Sequence, residues 1–324
     1  MIRRLVLVGI ALMVGFLPAT TRAQRSDRIA RIGVLVPSIS ATDSLIEALR
    51  TGLHDLGYVE GQNIRIEFRS AQGRFERLPV LAEELARLNV DVIVAGADPA
   101  IQAALRATHT TPVVMVGYVY DPVTSGLIDS YGKPGRNLTG VFTRISELVG
   151  KRLELLKEMV PNLSRVAVFW DSSGQSELAE VEPAARFLGL HLILIKLHPP
   201  YDFASAFRTA KRKKAEAVVL LFSSEFYVRR DQIAASALKF RLPTATGTGE
   251  YTEAGGLLSY GPEGVDAYHR AAYFVDRLLK GAKPSELPVE QTAEFKMLVN
   301  LKTAEALGLT VPESILLVAN KVIR

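Results

Sequence analysis

"DVIVAGADPAIQAAL", Asp91 to Leu105, decides the fold. Val92 to Ala95 is an unbroken apolar run, as expected of a strand buried on both faces of a parallel sheet. Asp98-Pro99 follows at once. Asp is a preferred helix cap, and Pro is tolerated in a first helical turn because its missing N–H has no partner there anyway. Ala100, Ile101, Ala103 and Ala104 then recur at helical spacing. A strand that passes into a helix across one polar step is the repeating unit of an open α/β sheet.

The same unit recurs along the chain. Strands are expected at Arg31–Val36, Asn63–Phe68, Asp91–Ala95, Pro112–Gly117, Arg165–Trp170, His191–Leu197, Ala217–Phe222 and Leu257–Tyr260. Helical patterns lie between and beyond them, at Asp43–Leu56, Leu78–Leu88, Lys151–Met159, Leu178–Leu188, Arg229–Phe240 and Val265–Lys280. Alternation at this spacing predicts a doubly wound α/β fold. The chain also resembles itself. "RIGVLVPS" (Arg31–Ser38) pairs with "RVAVFWDS" (Arg165–Ser172), "DVIVAGAD" (Asp91–Asp98) with "AVVLLFSS" (Ala217–Ser224), and "TTPVVMVGY" (Thr110–Tyr118) with "RLPTATGTG" (Arg241–Gly249). Three pairs in the same order predict two similar lobes, in keeping with 324 residues, too many for one typical core.

The expected division places residues 28–142 and about 262–285 in the first lobe, and 143–261 with about 286–324 in the second. The chain then crosses back near Gly261 and again near Glu286. Ahead of both, Arg3 and Arg4 precede an apolar run, Leu5 to Leu17, and small residues before Gln24. Residues 1–23 therefore read as a secretory signal peptide, the alternative being an uncleaved membrane anchor. Removing them lowers the formal net charge from +5 to +2, which gives no support for a nucleic-acid partner. The sequence contains no cysteine, so disulfides, thiol nucleophiles and zinc–thiolate sites are excluded.

Catalytic and cofactor motifs are missing from the sequence. There is no phosphate-binding G-x-x-x-x-G-K-[ST], no G-x-G-x-x-G after a strand, no G-x-S-x-G elbow and no H-x-x-x-H pair. The basic run Lys211–Lys214 reads as a solvated helix end. No catalysis, cofactor or metal is expected. What remains is a set of polar strand ends. In open α/β sheets ligands sit beyond the carboxyl ends of the strands, where helix N-termini present free N–H groups.

Several further stretches carry a family resemblance: "GLHDLGYVEGQNIRIEFR", "ERLPVLAEELARLNVDVIVA", "DPVTSGLI", "NLTGV", "KRLELLKEMVP", "EAGGLLSYGP" and "LPVEQTAEFKMLVNLKTAEALGLTVP". In this order they resemble the ABC-transporter substrate-binding proteins of the tryptophan/tyrosine type. The resemblance implies a type I periplasmic binding protein: two α/β lobes joined by three crossovers, a ligand cleft between them, a monomer in the periplasm, and delivery of a small solute to a membrane permease driven by an ATPase. Two positions depart from the pattern. Tyr120-Asp121-Pro122-Val123 stands where relatives often have Gly-Asp-Pro-Val, and Asp171-Ser172 where they often have Asn-Pro.

Roles within the expected cleft follow from chemistry. Helix N-termini after Ser38, Ala97 and Ser223 suit a ligand carboxylate. Asp98, Asp121, Asp171 and Glu250 suit a ligand cation. Tyr118, Trp170, Tyr251 and Tyr260 suit an apolar or aromatic portion, with lobe-core packing the competing reading for Trp170 and a crossover position for Tyr260. An amino acid or related carboxylate is the first expectation for the ligand. A sensor subunit for a membrane receptor, or an exported enzyme of the same fold, are the alternatives.

Overall fold

The computed structural model describes residues 29–118, 121–292 and 294–324. The expected signal peptide and the start of the mature chain lie outside the described residues. Among the described residues no helix is long and apolar enough to cross a membrane.

The chain runs β1 (Ala30–Val36), α1 (Ser44–Asp55), β2 (Ile64–Ser70), α2 (Leu78–Arg87), β3 (Val92–Gly96), α3 (Asp98–Ala107), β4 (Val113–Gly117) and β5 (Leu138–Phe142). It continues with α4 (Val149–Met159), β6 (Arg165–Trp170), α5 (Gln175–Phe187), β7 (His191–Lys196), α6 (Phe203–Arg212), β8 (Ala217–Leu220), α7 (Ser224–Val228), α8 (Arg230–Lys239), β9 (Thr244–Thr246) and α9 (Gly249–Glu253). The last part holds β10 (Leu258–Gly261), α10 (Gly264–Leu279), β11 (Glu290–Gln291), β12 (Lys296–Asn300), α11 (Leu301–Leu307), α12 (Glu313–Val318) and β13 (Lys321–Ile323).

Two sheets result. The first has the order β11-β5-β4-β3-β1-β2, and the second β13-β12-β10-β9-β8-β6-β7. Every pair in the first sheet is parallel. In the second, β12 runs antiparallel to β10 and is the departure from a purely parallel arrangement. Each sheet is covered on both faces, which is why its inner strands read as continuous apolar runs. On the first sheet, α1 and α10 bury Leu49, Leu53, Ala271 and Phe274 on one face, and α2 and α3 bury Leu81, Leu85, Ile101 and Ala104 on the other. On the second, α4 and α5 supply Leu153, Leu156 and Val181 to one face, and α6 and α8 supply Phe203, Phe207 and Ile233 to the other.

Short strands are what periodicity misses. β5 contains Gly140, and β9, β11 and β13 are too short to show a pattern. Gly140 sits at φ +124° against β4, where an added Cβ would lie 2.6 Å from the Met115 nitrogen. Only glycine allows that strand to pair so closely. β11 pairs with β5, so the chain is still on the first sheet at Gln291. The final crossing therefore follows Gln291 and does not fall near Glu286. Gly52 does a similar service between helices. A Cβ there would lie 2.9 Å from that of Ala272, so its absence lets α10 seat on α1.

Candidate functional site

A cleft of about 550 Å³, open mouth included, lies where the carboxyl ends of the two sheets face each other. The first sheet contributes Pro37 to Ile39 after β1, Gly96-Ala97 after β3 and Tyr118 after β4. The second contributes Phe222 and Ser224 after β8 and Thr248 after β9. Ile145 and Pro262, on the two first crossovers, complete the wall together with Glu250, Tyr227 and Tyr268.

Local geometry explains the shape. Ala97 takes φ 65° and ψ 154°, unusual for a residue with a side chain, and this turns the chain sharply from β3 into α3. Gly96 beside it faces the ring of Tyr268, where a Cβ would lie 3.0 Å from Cζ. Tyr268 can therefore approach the end of β3 this closely only because position 96 is glycine. Tyr118 stacks on Phe222 at 5.3 Å between ring centroids, so an aromatic pair spans the two lobes. The Tyr118 hydroxyl is buried without a hydrogen-bond partner among the described residues.

Two further contacts close the lobes together. Ser38 Oγ donates to Glu225 Oε1 at 2.6 Å, and Tyr227 Oη donates to Asp43 Oδ1 at 3.4 Å. Glu225 is 2% exposed and also pairs with Arg229.

The electrostatics of the cleft are one-sided. Among the described residues that line it there is no lysine, arginine or histidine. Burial raises the Glu250 carboxyl above its ordinary range, the nearby Glu253 and Glu263 add to this, and its own N–H and Arg230 offset part of the rise. The Tyr118 phenol is pushed well up, first by burial and then by Tyr268, Glu250, Tyr227 and Asp43. The cleft thus offers neutral hydroxyls, aromatic faces and one acid with no basic partner in the lining.

Of the residues singled out in the sequence, Ser38, Ala97, Tyr118 and Glu250 line this cleft. The others do not. No helix begins directly after Ser38, since α1 starts at Ser44 with Asp43 as its cap. Ser223 caps the short α7 and donates to Asp171 Oδ2 at 2.5 Å, so its hydroxyl is spent. Asp171 itself accepts from Ser173 N–H at 2.8 Å and Tyr201 Oη at 3.1 Å and is 2% exposed. Asp121 accepts from Tyr131, Arg144 and Val123 N–H. Burial there is outweighed by those donors, and its carboxyl falls below the usual range. Asp98 opens α3 but is turned inward toward Gly117, and burial, opposed by the Tyr118 N–H, pushes its carboxyl up to about 7. Trp170 packs on the second core with Lys196 Nζ 4.5 Å above its ring. Tyr251 is core, and Tyr260 sits by a crossover, 6.2 Å from Phe295. Asp121 and Asp171 stand at strand ends but are satisfied by local donors, and the Trp170 and Tyr251 rings are taken up by packing in the second lobe.

Phe222, Tyr227 and Tyr268 escape sequence reasoning. Tyr268 falls on the apolar face of α10 and reads as core, while Tyr227 belongs to a helix too short to show a period.

Comparison with known proteins bears on the whole chain. A family model described as ABC transporter substrate binding protein matches residues 31–323. A tyrosine-binding protein of Clostridioides difficile (strain R20291) is 26% identical over 267 residues, 79% of this chain and 74% of that protein. Among solved structures, the ABC domain in complex with L-Trp from Streptococcus pneumonia is 27% identical with a TM-score of 0.82, covering 91% of this chain and 100% of that one. A conserved domain protein of Vibrio cholerae O1 biovar El Tor is 27% identical with a TM-score of 0.83, at the same coverage. With two α/β lobes of the type I periplasmic binding protein fold and a family match across nearly its full length, this chain belongs to the ABC transporter substrate binding protein family.

Proposed function

We propose that this protein captures an amino acid with a large apolar or aromatic side chain in the interlobe cleft and presents it to an ABC permease. The observation that carries this reading is the pairing, in one cleft, of an acid with no basic residue in the lining and a wall formed by Tyr118, Phe222, Tyr227 and Tyr268. A ligand ammonium would sit against Glu250, because a buried carboxylate needs a cation or donors once water is excluded. A side chain would lie on the rings. Its carboxylate would take the Asp98 N–H that opens α3 and the hydroxyls of Ser224 and Thr248. The names of two relatives, one tyrosine-binding and one bound to L-Trp, point the same way.

Binding would proceed by lobe closure, a population shift that requires the ligand to prefer the closed state. Residues 28–142, about 262–285 and on to Gln291 would move as one lobe, and the rest as the other. Export by residues 1–23 would place the protein in the periplasm, where the closed form docks on its permease.

The test is calorimetry of the processed protein with L-tryptophan, L-tyrosine and 3-indolepropionate, which lacks the ammonium. Tight stoichiometric binding of an amino acid, with the deaminated compound at least tenfold weaker, is expected. Glu250→Gln should narrow that gap. Equal binding of the two indole compounds by the unaltered protein would refute the role of Glu250, and binding of neither amino acid would refute the ligand class.

A further inference from the structure

Arg152 and Glu177 form an ion pair at 2.6 Å in which both side chains are 0% exposed. Neither lines the cleft. Burying two charges is costly, and well-packed apolar residues often hold a core as well or better.

The other hydrogen bonds of the pair reach different segments. Arg152 Nε donates to the Tyr260 carbonyl at 2.9 Å, at the end of β10 where the chain leaves the second lobe. Arg152 Nη2 donates to the Ile145 carbonyl at 3.3 Å, on the first crossover. The guanidinium also lies against Gly247, where an added Cβ would be 2.6 Å from Nη2. Glu177 accepts from the Phe222 N–H with its second oxygen.

Two of these segments meet the same residue of the opposite lobe. The Ile145 N–H donates to the Tyr118 carbonyl at 3.2 Å, and the Phe222 ring stacks on the Tyr118 ring. Ile145, Phe222 and Tyr118 all line the cleft. One buried charge pair in the second lobe therefore holds both elements against which Tyr118 of the first lobe rests.

We propose that Arg152 and Glu177 are positioning residues for the cleft: they pin the first two crossovers and the end of β8 in one frame, and so define the wall on which the first lobe closes. A guanidinium suits this because its planar fork addresses several acceptors at once in fixed directions. The inference rests on the cleft being the ligand site, but its structural half does not.

The absence of native cysteine allows a direct test. Spin labels on cysteines introduced at the exposed Glu83 and Glu180, one on each lobe, report the interlobe distance by pulsed electron resonance. The variants are Glu177→Gln, which can satisfy Arg152 or the Phe222 N–H but not both, and Arg152→Met with Glu177→Met, which removes both charges together. The expected result is a folded protein by circular dichroism, with the double variant melting no lower than Glu177→Gln. The interlobe distribution should broaden in both variants, and L-tryptophan affinity should fall at least tenfold. Folded variants with an unchanged distance distribution and unchanged affinity would overturn the proposal. So would loss of the fold in both, which would make the pair a core element and nothing more. If the unaltered protein binds neither L-tryptophan nor L-tyrosine, the ligand reading fails, and the distance distributions still decide this one.

Discussion

Glu225→Ala tests whether closure is set by contacts outside the ligand cavity. Glu225 belongs to α7 on the second lobe, yet its carboxylate accepts from Ser38 of the first lobe at 2.6 Å and lies over Gly73, where a Cβ would be 2.9 Å from its Cδ. These contacts exist only when the lobes meet. A hydrogen bond to a charged group contributes about 1.5–3 kcal/mol net of the water it replaces. The other partner, Arg229, is 37% exposed and recovers hydration when the carboxylate is removed, so its pairing adds little to the difference. At 1.4 kcal/mol per tenfold, losing the Ser38 bond should shift the open–closed equilibrium by about 10- to 100-fold. The full factor appears in affinity only if the open form dominates without ligand. Calorimetry should therefore show L-tryptophan binding weakened by up to about 100-fold, and stopped-flow fluorescence should place most of the change in dissociation. An affinity within twofold of the unaltered protein, with the melting temperature unchanged, would refute the reasoning.

Asp98→Asn should stabilise the protein at pH 8 and leave it unchanged at pH 3. The folded carboxyl titrates near 7, above its unfolded value of 3.8, because burial disfavours the charged form. The folded state thus holds an extra proton between those values, and stability declines as pH rises through that window. Thermal melts at both pH values check the sign. Gly140→Ala should lower stability by more than about 2 kcal/mol in urea unfolding, since it combines a positive φ with a backbone clash against β4. Phe207→Ala should cost about 3–5 kcal/mol by the same measurement, because its ring is fully buried and meets Phe169 edge-on at 4.9 Å.

Composition and periodicity alone determined the architecture. A short apolar run bounded by turn residues reads differently from a long amphipathic stretch, so β1, β3, β4 and β6 are legible to within a residue at each end. The doubling was legible as well, because each lobe repeats the same local grammar. What the sequence could not settle is which polar strand end serves the ligand. Asp121, Asp171 and Ser223 have the chemistry of binding residues, yet their hydrogen bonds close on Arg144, Tyr201 and one another. Glu250 has the same chemistry, and among the described residues no basic one lines the cleft beside it. The cleft's aromatic wall brings together Tyr118, Phe222 and Tyr268 from three distant segments, and Arg152 joins segments more than a hundred residues apart at Tyr260. Local sequence dictates backbone periodicity because that depends on neighbours a few residues away. Whether a charge is spent or free depends on partners that only the packed lobes bring within hydrogen-bond reach, and that was decided by the tertiary structure.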